Sequence, residues 1–467
     1  MTTAQQSKSL ARSLALWVSA LCLLGIGGCR ALPTIHPDMA PAKAARVQVD
    51  NAKGPLSAAR SRAILTAMEA RAPDTNIFDR HLAVEAALAD SPLTAGNQVT
   101  LLQDGTATYE AMFAAIREAK DHINLETYIV EDDEIGRRFA EALIAKQRQG
   151  VSVHLIYDAV GALGTPREFF QPLKDAGIKV LQFNPVNPLL AKAGWNVNRR
   201  DHRKLLIADG RFAFLGGINI SAVYSGGSLK SAPRTDKPLP WRDTHLQIEG
   251  PVVAEFQKLF LDTWTRQQGE PLAPRNFFPQ PVPRGDEVVR AIGGSPEEPF
   301  SAIYATFISA INSAETEVLL TNAYFAPDPQ LRTALKDAVR RGVDVKLILP
   351  GATDSALIFH VGRSYYDELL SAGVKIYERR EVLLHSKTAM VDGVWSTIGS
   401  TNLDWRSFLH NQEVNAVVLG TGFGAQMRAA FERDLAASQP IVLARWRQRS
   451  LALRLKEGLA RIWEYWL

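Results

Sequence analysis

Two stretches of this 467-residue sequence set a histidine, a lysine and an aspartate at one spacing. The first is His202-x-Lys204-x4-Asp209, followed by Gly216-Gly217-x-Asn219; the second is His385-x-Lys387-x4-Asp392, followed by Gly399-Ser400-x-Asn402. Each position of the second lies 183 residues after its counterpart. One surface His-x-Lys on a strand is usually just solvated, but two copies in register are a constellation. The residue types suit phosphodiester chemistry, which needs a nucleophile, a proton for the leaving alkoxide and fixed positive charge against the non-bridging oxygens. Imidazole supplies the first two near neutral pH, and Lys204 and Lys387 supply the third without a metal or other cofactor. Side chains two apart on a strand share a face, so each copy delivers its His and Lys together. Two copies facing across a pseudo-twofold axis would set both pairs around one phosphate. Asn219 and Asn402 are candidate donors to its oxygens, and Asp209 and Asp392 complete the set of candidate catalytic residues.

Other chemistries find little support. The remaining histidines (His36, His81, His122, His154, His245, His360 and His410) show no metal-ligand spacing, although His245 and His410 stand near the motifs and are candidates for the pocket wall. No GxSxG elbow and no GxxxxGK loop occurs. Both cysteines, Cys22 and Cys29, fall in the first thirty residues, which excludes a disulfide framework or a Cys-ligated metal in the body of the chain.

The elements that must position the motifs repeat as well. A helix at 108–120, an apolar strand at His122–Tyr128 and a helix at 135–148 precede Val151-Ser152-Val153-His154-Leu155-Ile156. A helix at 301–313, a strand at Glu317–Tyr324 and a helix at 330–340 precede Val343-Asp344-Val345-Lys346-Leu347-Ile348. Such alternation predicts α/β layers: two duplicated α/β/α sandwich lobes with mixed, mostly parallel sheets and one active site at their interface. Ahead of them, 30–55 reads as a tether, and 56–72 and 77–90 as two helices. Two segments differ between the copies, 184–200 with Leu189, Leu190 and Trp195, and the Gly/Pro/Ser-rich 222–240; loops of this length often decide the substrate.

Lys8, Arg12, an apolar run at 14–26 and Gly27-Gly28-Cys29 have the form of a secretory leader, too short to span a bilayer as a helix. Its ending resembles a bacterial lipobox, which implies a signal peptide over 1–28, acylation of Cys29 and an envelope location facing the periplasm; Arg30 after it favours the outer membrane. The formal net charge is +4, falls to +2 without residues 1–28, and is concentrated at +4 in 445–467, so the body is slightly acidic. That balance speaks against nucleic acid as partner. The tail places Leu451, Leu455, Leu459, Ile462 and Trp466 at helical spacing among arginines, which suits either a helix in an anionic membrane interface or a terminal helix docked on the body.

The paired motifs resemble the phospholipase D superfamily, and their surroundings resemble bacterial cardiolipin synthases: Asn124-Leu125-Glu126-Thr127-Tyr128-Ile129, Glu131-Asp132-Asp133-Glu134, Phe183-Asn184-Pro185, Trp241-Arg242-Asp243-Thr244, and Asn402-Leu403-Asp404-x-Arg406-Ser407. The likeness covers about 96–440 and departs from the many members that begin with two membrane-spanning helices. It implies lobes at 96–275 and 284–440, behind a tether with N-terminal helices at 29–95 and ahead of a basic amphipathic helix at 441–467. It also implies His202 as a nucleophile forming a phosphohistidine, His385 as the acid and then the base, and Asp243 and Glu413 as carboxylates that orient the histidines. Each carboxylate stands seven residues before a glycine, Gly250 or Gly420, and the sequence leaves open which serves which histidine. For Asp209 and Asp392 a turn-stabilising role suits the resemblance better than chemistry. The expected function is transfer of a phosphatidyl group between two phosphatidylglycerol molecules on a membrane surface. The alternatives are hydrolysis of phospholipids to phosphatidic acid, a secreted nuclease of the same superfamily, and a silent envelope-binding module.

Overall fold

The computed structural model describes residues 32–35, 47–190, 195–226 and 239–467. The leader with Cys29, part of the tether, and residues 191–194 and 227–238 lie outside them. In the first repeat the main strands are β1 (Leu93–Gln103), β2 (His122–Thr127), β3 (Ser152–Asp158), β4 (Lys179–Phe183), β5 (Lys204–Ala208), β6 (Phe212–Gly216) and β7 (Thr244–Glu249). They lie side by side in the order β4-β3-β2-β5-β6-β7-β1. In the second repeat, β8 (Glu287–Gly294), β9 (Glu317–Asn322), β10 (Asp344–Pro350), β11 (Lys375–Arg379), β12 (Lys387–Val391), β13 (Trp395–Gly399) and β14 (Asn411–Leu419) follow the same order, β11-β10-β9-β12-β13-β14-β8. The duplication in sequence is thus a duplication of topology.

The sheets are mixed, as expected, but antiparallel pairs outnumber parallel ones. Helices Glu134–Arg148 and Arg167–Asp175 cross over between β2, β3 and β4 and make those neighbours parallel. After the motif, β5 turns directly into β6 at Asp209-Gly210, so these strands, β7 and β1 pair antiparallel. The expectation of mostly parallel sheets is corrected accordingly. Capping side chains set the crossovers: Asp133 Oδ1 accepts from Gly136 N at 2.9 Å, and in the second lobe Asp328 Oδ1 accepts from Gln330 N at 2.8 Å.

The lobes share one sheet. β1 pairs antiparallel with β8, Thr94 opposite Val289 and Asn97 opposite Glu287. Part of the expected tether is a small hairpin, Val49–Asn51 with Gly54–Pro55, which adds to β1. The helices read over 56–72 and 77–90 are Ala58–Glu69 and a π turn, Ile77–His81, running into Leu82–Leu88. One apolar cluster joins Leu215, Ile248, Phe256 and Phe260 of the first lobe to Ile398, Val414, Val418 and Phe431 of the second. Another, around Ile123, Phe139, Leu206 and Phe214, fills the opposite face of the first lobe. Because β6 is buried on both faces, Phe212–Gly216 is apolar throughout, and each large side chain withdrawn from water contributes roughly 1.5–3 kcal/mol.

The tail forms helices Leu443–Trp446 and Leu451–Ala460 and a 3-10 turn, Arg461–Trp466. It is docked: Trp446 is buried beneath the Arg449 guanidinium, and buried Glu457 accepts from Arg449 Nη2 at 2.7 Å. Its leucine row faces outward all the same.

Candidate active site

His202 and His385 stand just before β5 and β12, and in both places the chain borrows a strand from the other lobe. Arg200–Asp201 pairs with the start of β14, and Trp241–Arg242 with Leu383–Leu384. His202 N donates to Gln412 O at 2.9 Å, and His385 N to Arg242 O at 2.8 Å. The residue after each acceptor is one of the two carboxylates. His202 Nδ1 meets Glu413 Oε1 and Oε2 at 3.0 and 3.1 Å, and His385 Nδ1 meets Asp243 Oδ2 at 2.7 Å. The pairing left open by the sequence is therefore crossed, each histidine being held by the carboxylate of the opposite lobe. Two local differences fit the shorter and longer acid. A Cβ on Gly217 would collide with the Asp243 carboxylate, whereas Ser400, at the matching position, donates its hydroxyl to Glu413. Asn411 Nδ2 also donates to Glu413, at 3.2 Å.

Burial and crowding of charge set the protonation states. Burial pulls the His202 imidazole down to about 4, with Glu413 opposing and Lys204 assisting. Burial and both lysines hold His385 well below the usual histidine range. Glu413 stays below the ordinary glutamate value despite burial, through His202, Lys204 and Ser400. Burial raises Asp243 to about 6, with Lys387 opposing. At neutral pH both acids are carboxylates, both imidazoles are neutral with Nδ1–H donating to them, and each Nε2 is free for chemistry. Burial and mutual repulsion bring Lys204 to about 7 and burial brings Lys387 to about 8. Each ammonium is fixed by the carbonyl of its own histidine: Lys204 Nζ donates to His202 O at 2.5 Å and Lys387 Nζ to His385 O.

His202, His385, Asn219 and Asn402 open on one cavity of about 480 Å³, in the usual range for a small-molecule site. Its halves differ. Around His385 the wall is aromatic, with ring centroids of Trp241 at 5.0 Å and Tyr324 at 6.1 Å, and the buried Tyr224 ring, not itself part of the wall, lies 5.9 Å from the imidazole. Around His202 stand Tyr128, at 5.1 Å, and polar Arg200, Arg406 and Asn411. Asn219 binds locally, donating to Tyr224 Oη at 2.8 Å and accepting from Ile129 N at 3.1 Å, while Asn402 Oδ1 is buried without a partner among the described residues. Sequence reasoning quoted Tyr128, Trp241 and Asp404 only within the motifs of the resemblance and gave them no role; it assigned none to Tyr324, which follows the strand equivalent to that before Tyr128, nor to Arg200 and Tyr224 inside the two divergent segments. Asp404 lines the cavity and burial raises it to about 7.

Asp209 and Asp392 are corrected as catalytic candidates. They sit at the far ends of β5 and β12, roughly 20 Å along the strand from the histidines at about 3.3 Å per residue. Asp209 accepts from the backbone N–H groups of Lys120, Asp121 and His122 at 2.7, 2.8 and 3.0 Å, and Asp392 from those of Glu315, Thr316 and Glu317, so both hold the entry to the neighbouring strand. His245 is a wholly buried residue of β7 within the sheet, where burial lowers it to about 3, and His410 packs on Tyr465; neither lines the cavity. Arg203, between His202 and Lys204, donates to Glu413 O at 3.0 Å and Thr263 Oγ1 at 2.9 Å, bracing the Glu413 strand from the first lobe.

The family model described as "Cardiolipin synthase, PLD-like domain" matches residues 112–225 and 307–435. A cardiolipin synthase of Geobacillus sp. (strain WCH70) is 37% identical over 379 residues, 80% of this chain and 73% of that protein. Cardiolipin synthase A of Pseudomonas fluorescens is 35% identical over 80% of this chain and 76% of its own. Among solved structures, a phosphatidylserine synthase of Haemophilus influenzae aligns with a TM-score of 0.58 at 13% identity, covering 82% of this chain and 99% of that one, a likeness of fold.

Proposed function

This chain belongs to the cardiolipin synthase family of phospholipase D-like proteins and is a phosphatidyltransferase acting on phospholipids, and from that premise we propose that it moves a phosphatidyl group from one phosphatidylglycerol to the headgroup hydroxyl of another. The observation that carries the reading is the crossed pair of histidines, each with Nδ1 committed to a carboxylate and Nε2 left for one shared cavity. In the first step His202 Nε2 attacks phosphorus, the phosphorus–oxygen bond to the headgroup glycerol breaks, and protonated His385 gives its Nε2 proton to the departing oxygen. The seated phosphodiester anion offsets the two ammonium charges that depress His385, which lets it carry that proton. In the second step the hydroxyl of the second phosphatidylglycerol gives its proton to His385 Nε2 and attacks phosphorus, the phosphorus–nitrogen bond breaks, and cardiolipin leaves. Lys204 and Lys387 stand against the non-bridging oxygens, Asn402 and Asn219 beside them. Glu413 and Asp243 hold the imidazole tautomers and stabilise the positive charge each acquires.

The enzyme is membrane-associated, and the lipobox-like ending supports a lipid anchor at Cys29 facing the periplasm, on the outer membrane in preference to the inner. The test of the reaction is product analysis on phosphatidylglycerol vesicles, following cardiolipin, glycerol and phosphatidic acid. Equal cardiolipin and glycerol are expected, both lowered on the order of 10⁴-fold in His202→Ala. Phosphatidic acid as the main product would make the protein a hydrolase, and turnover unaffected by His202→Ala would remove the histidine from the chemistry.

A further inference from the structure

The docked tail leaves an apolar row uncovered. Leu451, Leu455 and Ile462 are 78, 64 and 70% exposed, with Leu459 between them, at the spacing that aligns side chains on one side of a helix. Beside the row lies a cleft of about 440 Å³ whose walls include Arg447, Arg449, Arg454 and Arg461 against Asp367 and Glu457. Asp367 takes Arg447 at 2.9 Å and Glu457 takes Arg449 at 2.7 Å. Exposed Arg454 has no carboxylate of its own among the described residues, and Arg461 lies over the Tyr365 ring, 3.9 Å from Glu464. The tail thus offers one cation without an ion pair among the described residues, Arg454, and one held only at the edge of ion-pair distance, Arg461, next to exposed leucines.

It also touches the mouth of the site. Leu467 lines the active cavity and its carbonyl accepts from Arg406 N at 2.8 Å; Ile358, another wall residue, lies on the helix Ala356–Ser364 that packs against Leu451–Ala460. Across the mouth, Val160 and Val197 are both exposed and part of the wall.

We propose that the C-terminal segment docks the enzyme on an anionic phospholipid surface: Leu451, Leu455, Leu459 and Ile462 enter the acyl layer, Arg454 and Arg461 meet headgroup phosphates, and the cavity mouth is held against the bilayer. Charge selects this occupant. The segment from 445 carries +4 on a slightly acidic body, so the same segment of a second copy would bring like charge against it, whereas an anionic bilayer brings the complement. Arginines flanking a leucine row can keep their charged ends at headgroup level while their stems cover apolar surface. The proposal rests on the reading of the protein as a phospholipid enzyme and supplies the surface by which that site reaches its substrate.

The test uses the full chain with Cys22→Ser and Cys29→Ser and an environment-sensitive fluorophore on Leu455→Cys, with Arg148→Cys as control. Arg148 ends the helix Glu134–Arg148, which runs away from the site to the start of β3. Vesicles of equimolar phosphatidylcholine and phosphatidylglycerol should shift the emission at position 455 to the blue and leave position 148 unchanged. Arg454→Glu with Arg461→Glu should weaken that binding at least tenfold, each arginine near an anionic surface being worth about fivefold. In unlabelled protein, Leu451→Ser with Leu455→Ser and Ile462→Ser should lower turnover of vesicle phosphatidylglycerol about tenfold and leave that of monomeric dihexanoyl phosphatidylglycerol unchanged. No shift at position 455 overturns the proposal, as does a shift that follows protein concentration without vesicles, which would assign the row to a second copy. An equal loss on both substrate forms overturns it too, by placing the segment in the chemistry. Absence of lipid product from the parent protein would sink the enzymatic reading while the shift at position 455 still decided the docking.

Discussion

At the scale of the residue, the site depends on how each imidazole is held. Glu413→Gln keeps the shape but no longer anchors Nδ1–H with a charge, and kcat should fall on the order of 10³-fold with little change in folding. The pH profile reports the same contact. In the parent, kcat/KM should rise as His202 loses its proton near pH 4 and fall between about 7 and 8 as Lys204 and Lys387 lose theirs, since an ammonium is charged only below its pKa. Glu413 raises both His202 and Lys204, so in Glu413→Gln both limbs should move to lower pH; a profile that keeps its limbs while activity drops would make Glu413 a packing residue only. The histidines and lysines were legible because they recur in register. Their pairing with Asp243 and Glu413 was not, since two equivalent acids at equivalent positions fit a straight arrangement as well as a crossed one. What decides is backbone pairing between residues far apart in sequence, His202 with Gln412 and His385 with Arg242.

At the scale of the element, the 222–240 stretch stood out because the second copy has no counterpart. Its 3-10 turn Ala222–Gly226 brings Tyr224 beside His385, and its far end brings Trp241. These rings keep water from the half of the cavity where His385 would activate an acceptor, and a drier site favours an alcohol over hydrolysis. Trp241→Ala should therefore raise the ratio of phosphatidic acid to cardiolipin several-fold at nearly constant total turnover, measured by lipid product analysis; an unchanged ratio would remove Trp241 from acceptor choice. Helices were legible along most of the chain through their period. Strand direction was read less well for a physical reason: β5, β6, β12 and β13 are covered on both faces, so they lack the alternation of a half-solvated antiparallel strand and look like buried parallel ones.

At the scale of the whole molecule, the duplication suggests two units that fold side by side, and the offset of 183 residues made it visible in the sequence. The packing argues instead for one cooperative body. β1 continues into β8, a single apolar cluster contains Phe256 and Phe260 together with Val418 and Phe431, and Glu413 and Asp243 each pair with a histidine of the opposite lobe. Opening one lobe would expose half of that cluster and leave the buried carboxylates of Glu413 and Asp243 without their imidazole donors, a cost of several kcal/mol for each buried charge left unpartnered. Scanning calorimetry should accordingly show one transition. Phe214→Ala, in the cluster confined to the first lobe, should cost about 3–5 kcal/mol and carry the entire transition to lower temperature. A second peak left at the parent's temperature would mean that the lobes melt independently, and the crossed contacts would then be features of the assembled site that do not bind the fold together.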